Sequence, residues 1–272
     1  MSVDTLDITK RIGDIRKAYE EASTTKYVNF LVYGGMGTGK TTSLATLPKP
    51  LLIHSFDPGG TKSISDEIKK GDIYVECFEK EDYHSPTQFK RWAKTVADYE
   101  RTGFFKQFQS YAIDSLTALA EMCLFEIVRD KGSKDPDSPE LQHYKVQSNR
   151  MRNIVASMQS IPCHTAVVGH IEADKDEVSG AIKSVLAITG KLSYKLPILY
   201  DEVYVAQTKR SSSGMNYGFL TRNTGIYEAR TRIGANNKLD AIEPQNFKEI
   251  LRKAGLPHED NKTLLAALSE AG

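Results

Sequence analysis

One octapeptide limits what this chain can become. Gly34, Gly35, Met36, Gly37, Thr38, Gly39, Lys40 and Thr41 form a complete G-x-x-x-x-G-K-[ST] run. Such a run has a use only between a strand and a helix, and both neighbours are present. Residues 28–33 are apolar with strand character, and the chain from Thr41 and Thr42 onward can continue as a helix until Pro48. Glycines let successive backbone N–H groups curl around a phosphate without Cβ clashes. Lys40 then reaches the β/γ oxygens, the Thr41 hydroxyl is placed to ligate Mg²⁺, and the helix opening at Gly39 turns its positive end on the anion. Residues Gly34 to Thr42 thus imply a cradle for a nucleoside triphosphate.

Composition sets the outer limits. A chain of 272 residues with 40% hydrophobic content suits one large α/β domain with small appendages. The expected division is an N-terminal amphipathic helix over 1–25, a core over 26–240 and a short helical tail over 241–272. No apolar run approaches the ~18 residues of a membrane span, and no basic-then-apolar leader opens the chain. The expectation is a cytoplasmic protein with no membrane partner. Cys77, Cys123 and Cys163 are scattered without metal-ligand spacing, which reads as buried thiols in a reducing compartment. A net charge of +1 gives no bulk electrostatic sign of nucleic acid. A nucleic-acid partner would need a local patch.

Periodicity supplies the remaining elements. Ile8, Ile12, Ile15, Tyr19 and Ala22 recur at helical spacing, predicting a helix that covers the core or docks on a neighbouring subunit. Residues 51–56 and 73–78 read as short apolar strands. Ser85 and Pro86 are an N-cap and first-turn pair for a helix carrying Phe89, Trp92, Val96 and Tyr99 on one face. Strands alternating with helices after a phosphate loop indicate a mostly parallel, helix-covered sheet. Residues 111–114 form a further apolar strand, and it ends in Asp114. An acid there can hold Mg²⁺ through water beside Lys40. Aspartates also end strands as turn formers; the upstream phosphate loop is what favours the metal role. Residues 246–254 and 261–271 read as two short helices around Gly255, Leu256 and Pro257, either a cap on the core or a tail that recruits a partner.

The run from Tyr111 through Asp114, Ser115, Leu116, Thr117, Ala118 and Leu119 resembles the corresponding strand of RecA-like recombinases. A fifth apolar strand over 164–170 ends in His170. Further on come Thr189-Gly190-Lys191-Leu192-Ser193, Leu196-Pro197, the strand over 200–205, and the segments 217–222 and 228–232. With the phosphate loop and residues 47–50, this pattern resembles the phage-encoded RecA-like nucleotide-binding proteins across roughly residues 28 to 235. That family includes single-strand annealing proteins that work with a single-stranded-DNA-binding protein.

The resemblance implies a RecA-like P-loop α/β core, with a mostly parallel sheet covered by helices on both faces and a C-terminal β-hairpin region. It also implies ATP and Mg²⁺ as ligands, slow or DNA-stimulated ATP hydrolysis, and self-association as a ring or filament in a bacterial host cytoplasm. Asp57 is then the acid that orients the attacking water, where such proteins usually have Glu; Asp57-Pro58-Gly59 also reads as an ordinary turn. His170 stands where a γ-phosphate sensor belongs, a position held by Gln in the bacterial recombinase type; it also reads as a hydrogen-bonded strand-end histidine. Arg230 and Arg232 match the finger that reaches a neighbour's site, and either also reads as a solvated strand-edge charge.

For single-stranded DNA the residues themselves offer a patch. Between Lys183 and Lys238 stand nine basic residues against three acidic ones, interleaved with Tyr194, Tyr200, Tyr204, Tyr217 and Tyr227. Basic side chains near aromatics suit a single strand, although several of these tyrosines fall in strands and read as core. The expected DNA-facing loops are 131–139, 172–183 and the hairpin tip at 209–214. Two other functions fit the phosphate loop. One is an oligomer merely locked by nucleotide; the other is a small-molecule kinase, for which no arginine-rich lid is evident.

Overall fold

Short strands buried on both faces must satisfy their backbone within a sheet, and the apolar runs do so here. The computed structural model describes residues 8–23, 26–130, 138–175, 180–212 and 214–271. In chain order the elements are α1 (Ile8–Ser23), β1 (Asn29–Gly34), α2 (Lys40–Leu44), β2 (Leu51–Ser55), α3 (Ser65–Ile68), β3 (Ile73–Cys77), α4 (Gln88–Thr102), β4 (Ser110–Asp114), α5 (Leu116–Asp130), α6 (Leu141–Met158), β5 (His164–Gly169), β6 (Ile171–Lys175), β7 (Ile182–Leu186), α7 (Leu192–Lys195), β8 (Glu202–Ser211), β9 (Gly214–Leu220), β10 (Ile242–Pro244), α8 (Phe247–Ala254) and α9 (Lys262–Ala271).

An eight-stranded sheet runs in the order β10-β9-β8-β1-β5-β4-β2-β3. Pairing is parallel from β3 across to β8, and β9 and β10 then add antiparallel. Register brings the carboxyl ends of four strands into line: Tyr33 faces Gly169, Val168 faces Asp114, and Asp114 faces Ser55. Alternate residues feed two apolar layers. Leu31, Ile113 and Val167 pack with Trp92, Leu119 and Met151 of α4, α5 and α6. Phe30, Val32 and Ile53 pack with Leu44 of α2 and with Phe247, Ile250 and Leu251 of α8. Each fully buried Phe, Ile or Leu side chain contributes about 1.5–3 kcal/mol relative to exposure. The α/β class, the mostly parallel sheet and the helices on both faces are as expected.

Several expectations change. The apolar face of α1 does not cover the core: Ile8, Ile12, Ile15 and Tyr19 are all exposed. Helical spacing fixes a stripe but not its partner. The start of α4 lies beyond Ser85 and Pro86, because the Glu81 carboxylate accepts the N–H groups of Thr87 and Gln88 and caps the helix from a distant position. The boundary expected at residue 240 has no counterpart in the structure. β10 pairs with β9, and Phe247, Ile250 and Leu251 are fully buried, so this part of the tail belongs to the core. The expected loop over 172–183 falls partly in two paired strands, β6 with β7, which cover 171–175 and 182–186. The loop expected over 131–139 lies largely outside the described residues. Cys123 and Cys163 are buried thiols, but Cys77 is exposed at the end of edge strand β3.

Candidate nucleotide-binding site

The phosphate loop joins β1, an interior strand of the sheet, to α2. A Cβ on Gly34 would stand 2.6 Å from the Ala206 carbonyl oxygen of β8, so only glycine lets β1 and β8 pair here. Gly39 caps α2 at φ 84°, in the left-handed region that favours glycine. A Cβ there would also press on Gln245 Oε1 at 2.5 Å and on Tyr217 Cδ1 at 2.9 Å. Lys40 is buried, and its Nζ donates to the carbonyls of Gly34 and Gly35 at 2.9 and 2.8 Å. The cation is folded onto the loop's own carbonyl oxygens.

Thr41 lies in the first turn of α2, with its hydroxyl donating to Asp114 Oδ2 at 2.8 Å. Asp114 ends β4 and is buried. Burial pushes its carboxyl up to about 6; the Asp57 carboxylate adds to the rise, while the Thr41 hydrogen bond and the Lys40 charge oppose it. Burial likewise holds the Lys40 ammonium below its usual range, offset in part by Asp114 and Asp57. A hydroxyl and a carboxylate oxygen side by side are hard donors that suit Mg²⁺, whose other positions go to water and phosphate. Among the described residues no group of three or more His, Cys, Asp and Glu side chains could hold a metal ion. Thr41 and Asp114 would be the residues to hold a cation that arrives with phosphates.

Asp57 follows β2 and turns back toward β4. Ser115 Oγ donates to its Oδ1 at 3.0 Å, and His170 Nε2 lies 3.5 Å from its Oδ2. His170 follows β5, with its backbone N–H donated to Thr117 Oγ1 of α5 at 3.0 Å. The expected water-orienting acid and the expected sensor thus face each other. Glu79 escaped the sequence reading. Its carboxylate accepts from Ser55 Oγ at 2.7 Å and from the Gly59 N–H at 2.9 Å, bracing the turn on both sides of Asp57. Nothing local marks it; only the pairing of β2 with β3 brings it there.

Lys40, Thr41, Asp57, Asp114 and His170 share one cavity of about 560 Å³. Its lining runs from Met36 to Ser43 and includes Asp57, Asp114 and His170, with Tyr217 and Gln245 beside Gly39. Gln245 Nε2 donates to the carbonyls of Thr38 at 2.8 Å and Gly218 at 3.1 Å, tying β9 to the phosphate loop. Gln245 was not anticipated, and Tyr217 figured only in the resembling segment 217–222 and in the DNA patch.

Arg230 and Arg232 stand apart from this cavity. The Arg230 guanidinium donates to the carbonyls of Pro197 at 3.0 Å and Tyr200 at 2.6 Å. Arg232 pairs with Asp201 at 3.1 Å and is about half exposed. In the basic segment, Lys209 and Arg210 are exposed on the β8–β9 hairpin, while Tyr200 and Tyr204 are core residues. Lys183 lies 3.9 Å from Glu228.

A family model described as an AAA domain matches residues 26–233. Comparison with curated proteins gives no match. Among solved structures, a KaiC-like protein from the hyperthermophilic archaeon Pyrococcus horikoshii OT3 is 13% identical, with a TM-score of 0.40 over 80% of this chain and 88% of that one. The match to the family model spans well over half of the sequence, and the chain belongs to the AAA domain family.

Proposed function

Taking membership of the AAA domain family as the premise, we propose that the protein is a RecA-like, Mg²⁺-dependent ATPase that acts on single-stranded DNA, in phage recombination or strand annealing. One observation carries the ATPase reading. A single cavity gathers Lys40, the Thr41–Asp114 pair and the Asp57–His170 pair around a loop shaped for phosphate.

Loop N–H groups and the α2 N-terminus grip the phosphates. Lys40 exchanges the Gly34 and Gly35 carbonyls for the γ-phosphate oxygens. Thr41 and Asp114 would hold Mg²⁺, which supplies positive charge to the phosphate oxygens when bound. Asp57 orients a water: its oxygen bonds to the γ-phosphorus, the bond from that phosphorus to the bridging oxygen breaks, and the proton passes to the Asp57 carboxylate. Ser115 fixes one Asp57 oxygen by hydrogen bonding and leaves the other toward His170 and the cavity. Positioning of this kind accounts for much of the barrier lowering in phosphoryl transfer. His170, tied through its backbone to Thr117 of α5, would register whether the γ-phosphate is present. Of the two arginines, Arg232 is better placed to reach a neighbouring copy, since Arg230 is engaged by backbone carbonyls of its own chain.

The DNA half of the proposal rests on the exposed Lys209 and Arg210 of the β8–β9 hairpin and on the basic excess around them. A single-stranded-DNA-binding protein is the partner that this reading implies. The test is steady-state phosphate release with ATP and Mg²⁺, with and without single-stranded DNA. Stimulation by DNA is expected. Turnover that ignores DNA removes the DNA half. ATP bound without release converts the reading to an oligomer locked by nucleotide.

A further inference from the structure

The proposed chemistry uses only one side of the cavity. Asp57 and His170 mark the end where the γ-phosphate is attacked, while Tyr217 and Gln245 form a wall of the same cavity beside Gly39, at the start of α2. That wall is built with some care. Gln245 Nε2 spends its hydrogens on Thr38 of the phosphate loop and on Gly218, the residue after Tyr217. Phe247 N–H donates to Thr46 Oγ1 at 2.9 Å, anchoring α8 beside α2. β9 is thereby held at a fixed distance from the loop. On it sits the Tyr217 ring, 47% exposed, with no hydrogen-bond or ring partner among the described residues. A tyrosine in a paired strand with a free ring beside a phosphate loop is a preformed surface for another flat ring.

We propose that Tyr217 is the stacking platform for the purine base of the bound nucleotide, and that Gln245 is the positioning residue that holds it against the phosphate loop. This rests on the nucleotide reading above and deepens it. It also gives Gln245, which lies beyond the family match, a part in the site: it ties β9 to the phosphate loop. The platform selects for a base without regard to its hydrogen-bonding edge, because every base offers a π-face; the larger purines cover more of the ring.

The test separates base from phosphate. Binding of ATP and of inorganic tripolyphosphate, each with Mg²⁺, is measured by titration calorimetry on the full chain and on Tyr217→Ala and Tyr217→Phe. Tyr217 is exposed, so neither variant disturbs the core. Tyr217→Ala should bind ATP about tenfold more weakly and tripolyphosphate as well as the unaltered protein does, with Tyr217→Phe close to unaltered for both. Unchanged ATP affinity in Tyr217→Ala, or equal loss for both probes, overturns the platform. An unaltered protein that binds neither probe overturns instead the nucleotide reading beneath it.

Discussion

β5 carries a histidine at each end, and the two have opposite fates. His164 opens the strand, fully buried, with Nδ1 accepting the Val28 N–H at 3.2 Å and Nε2 at 3.1 Å from the Pro257 carbonyl. Burial lowers its pKa from 6.5 to about 4. His170 follows the strand and lies partly open to the cavity, 3.5 Å from Asp57. The lysines repeat the contrast. Lys49, near the amino ends, is closed off by Asp72 at 2.9 Å, whereas Lys40 rests on carbonyls it can leave. Residue type does not distinguish structural from functional polar groups in this sheet. What distinguishes them is whether the partner is a fixed part of the fold or a neighbour on a cavity wall.

The sharpest way to break that contrast is Lys40→Ala. Loss of its charge-assisted bonds should weaken ATP binding by about 10³-fold, and normal affinity by calorimetry would overturn the loop's role.

The closed end makes the next largest demand. A histidine whose folded pKa is depressed contributes stability above its unfolded pKa of 6.5, and that stability is lost as pH falls toward about 4. The loss amounts to about 3 kcal/mol, readable by urea unfolding between pH 7 and pH 4. His164→Gln should flatten this slope; an identical slope in the variant removes His164 as its source.

At the open end, Asp57→Asn should slow phosphate release about 100-fold with ATP affinity within about threefold. Unchanged turnover would return Asp57 to being a turn residue.

The smallest effects separate the two arginines. Arg230→Ala should cost about 1–3 kcal/mol of stability, since carbonyls it satisfies lose their donor. Arg232→Ala should cost at most about 1 kcal/mol, as for an exposed ion pair, while slowing turnover if it serves a neighbouring site. Equal stability and turnover changes in both variants would erase the distinction drawn between them.

Much of the phosphate end was legible in the sequence because its geometry is local. Gly39 needs a positive φ, Lys40 and Thr41 follow at fixed places in the helix, and an apolar run ending in Asp114 has only one end at which to put its acid. Glu79, Gln245 and the capping role of Glu81 were not legible, since each acts through a hydrogen bond to a segment it meets only after folding. What α1 packs against was not legible for a related reason: its stripe of Ile8, Ile12, Ile15 and Tyr19 states that a face is apolar but not what lies against it.

By itself, then, the sequence determined a strand, a phosphate loop and a helix, an acid-terminated strand to accompany them, and hence the α/β class. Backbone sterics and side-chain periodicity act over a few residues and leave few alternatives. Tertiary structure alone decided that Asp57 would face His170, that Arg230 would be occupied by its own carbonyls, and that Gln245 would bind Thr38 from 207 residues away. Those contacts depend on the order in which strands pair, and strand order follows from the packing of both faces of the sheet, a property that no short stretch of the chain contains.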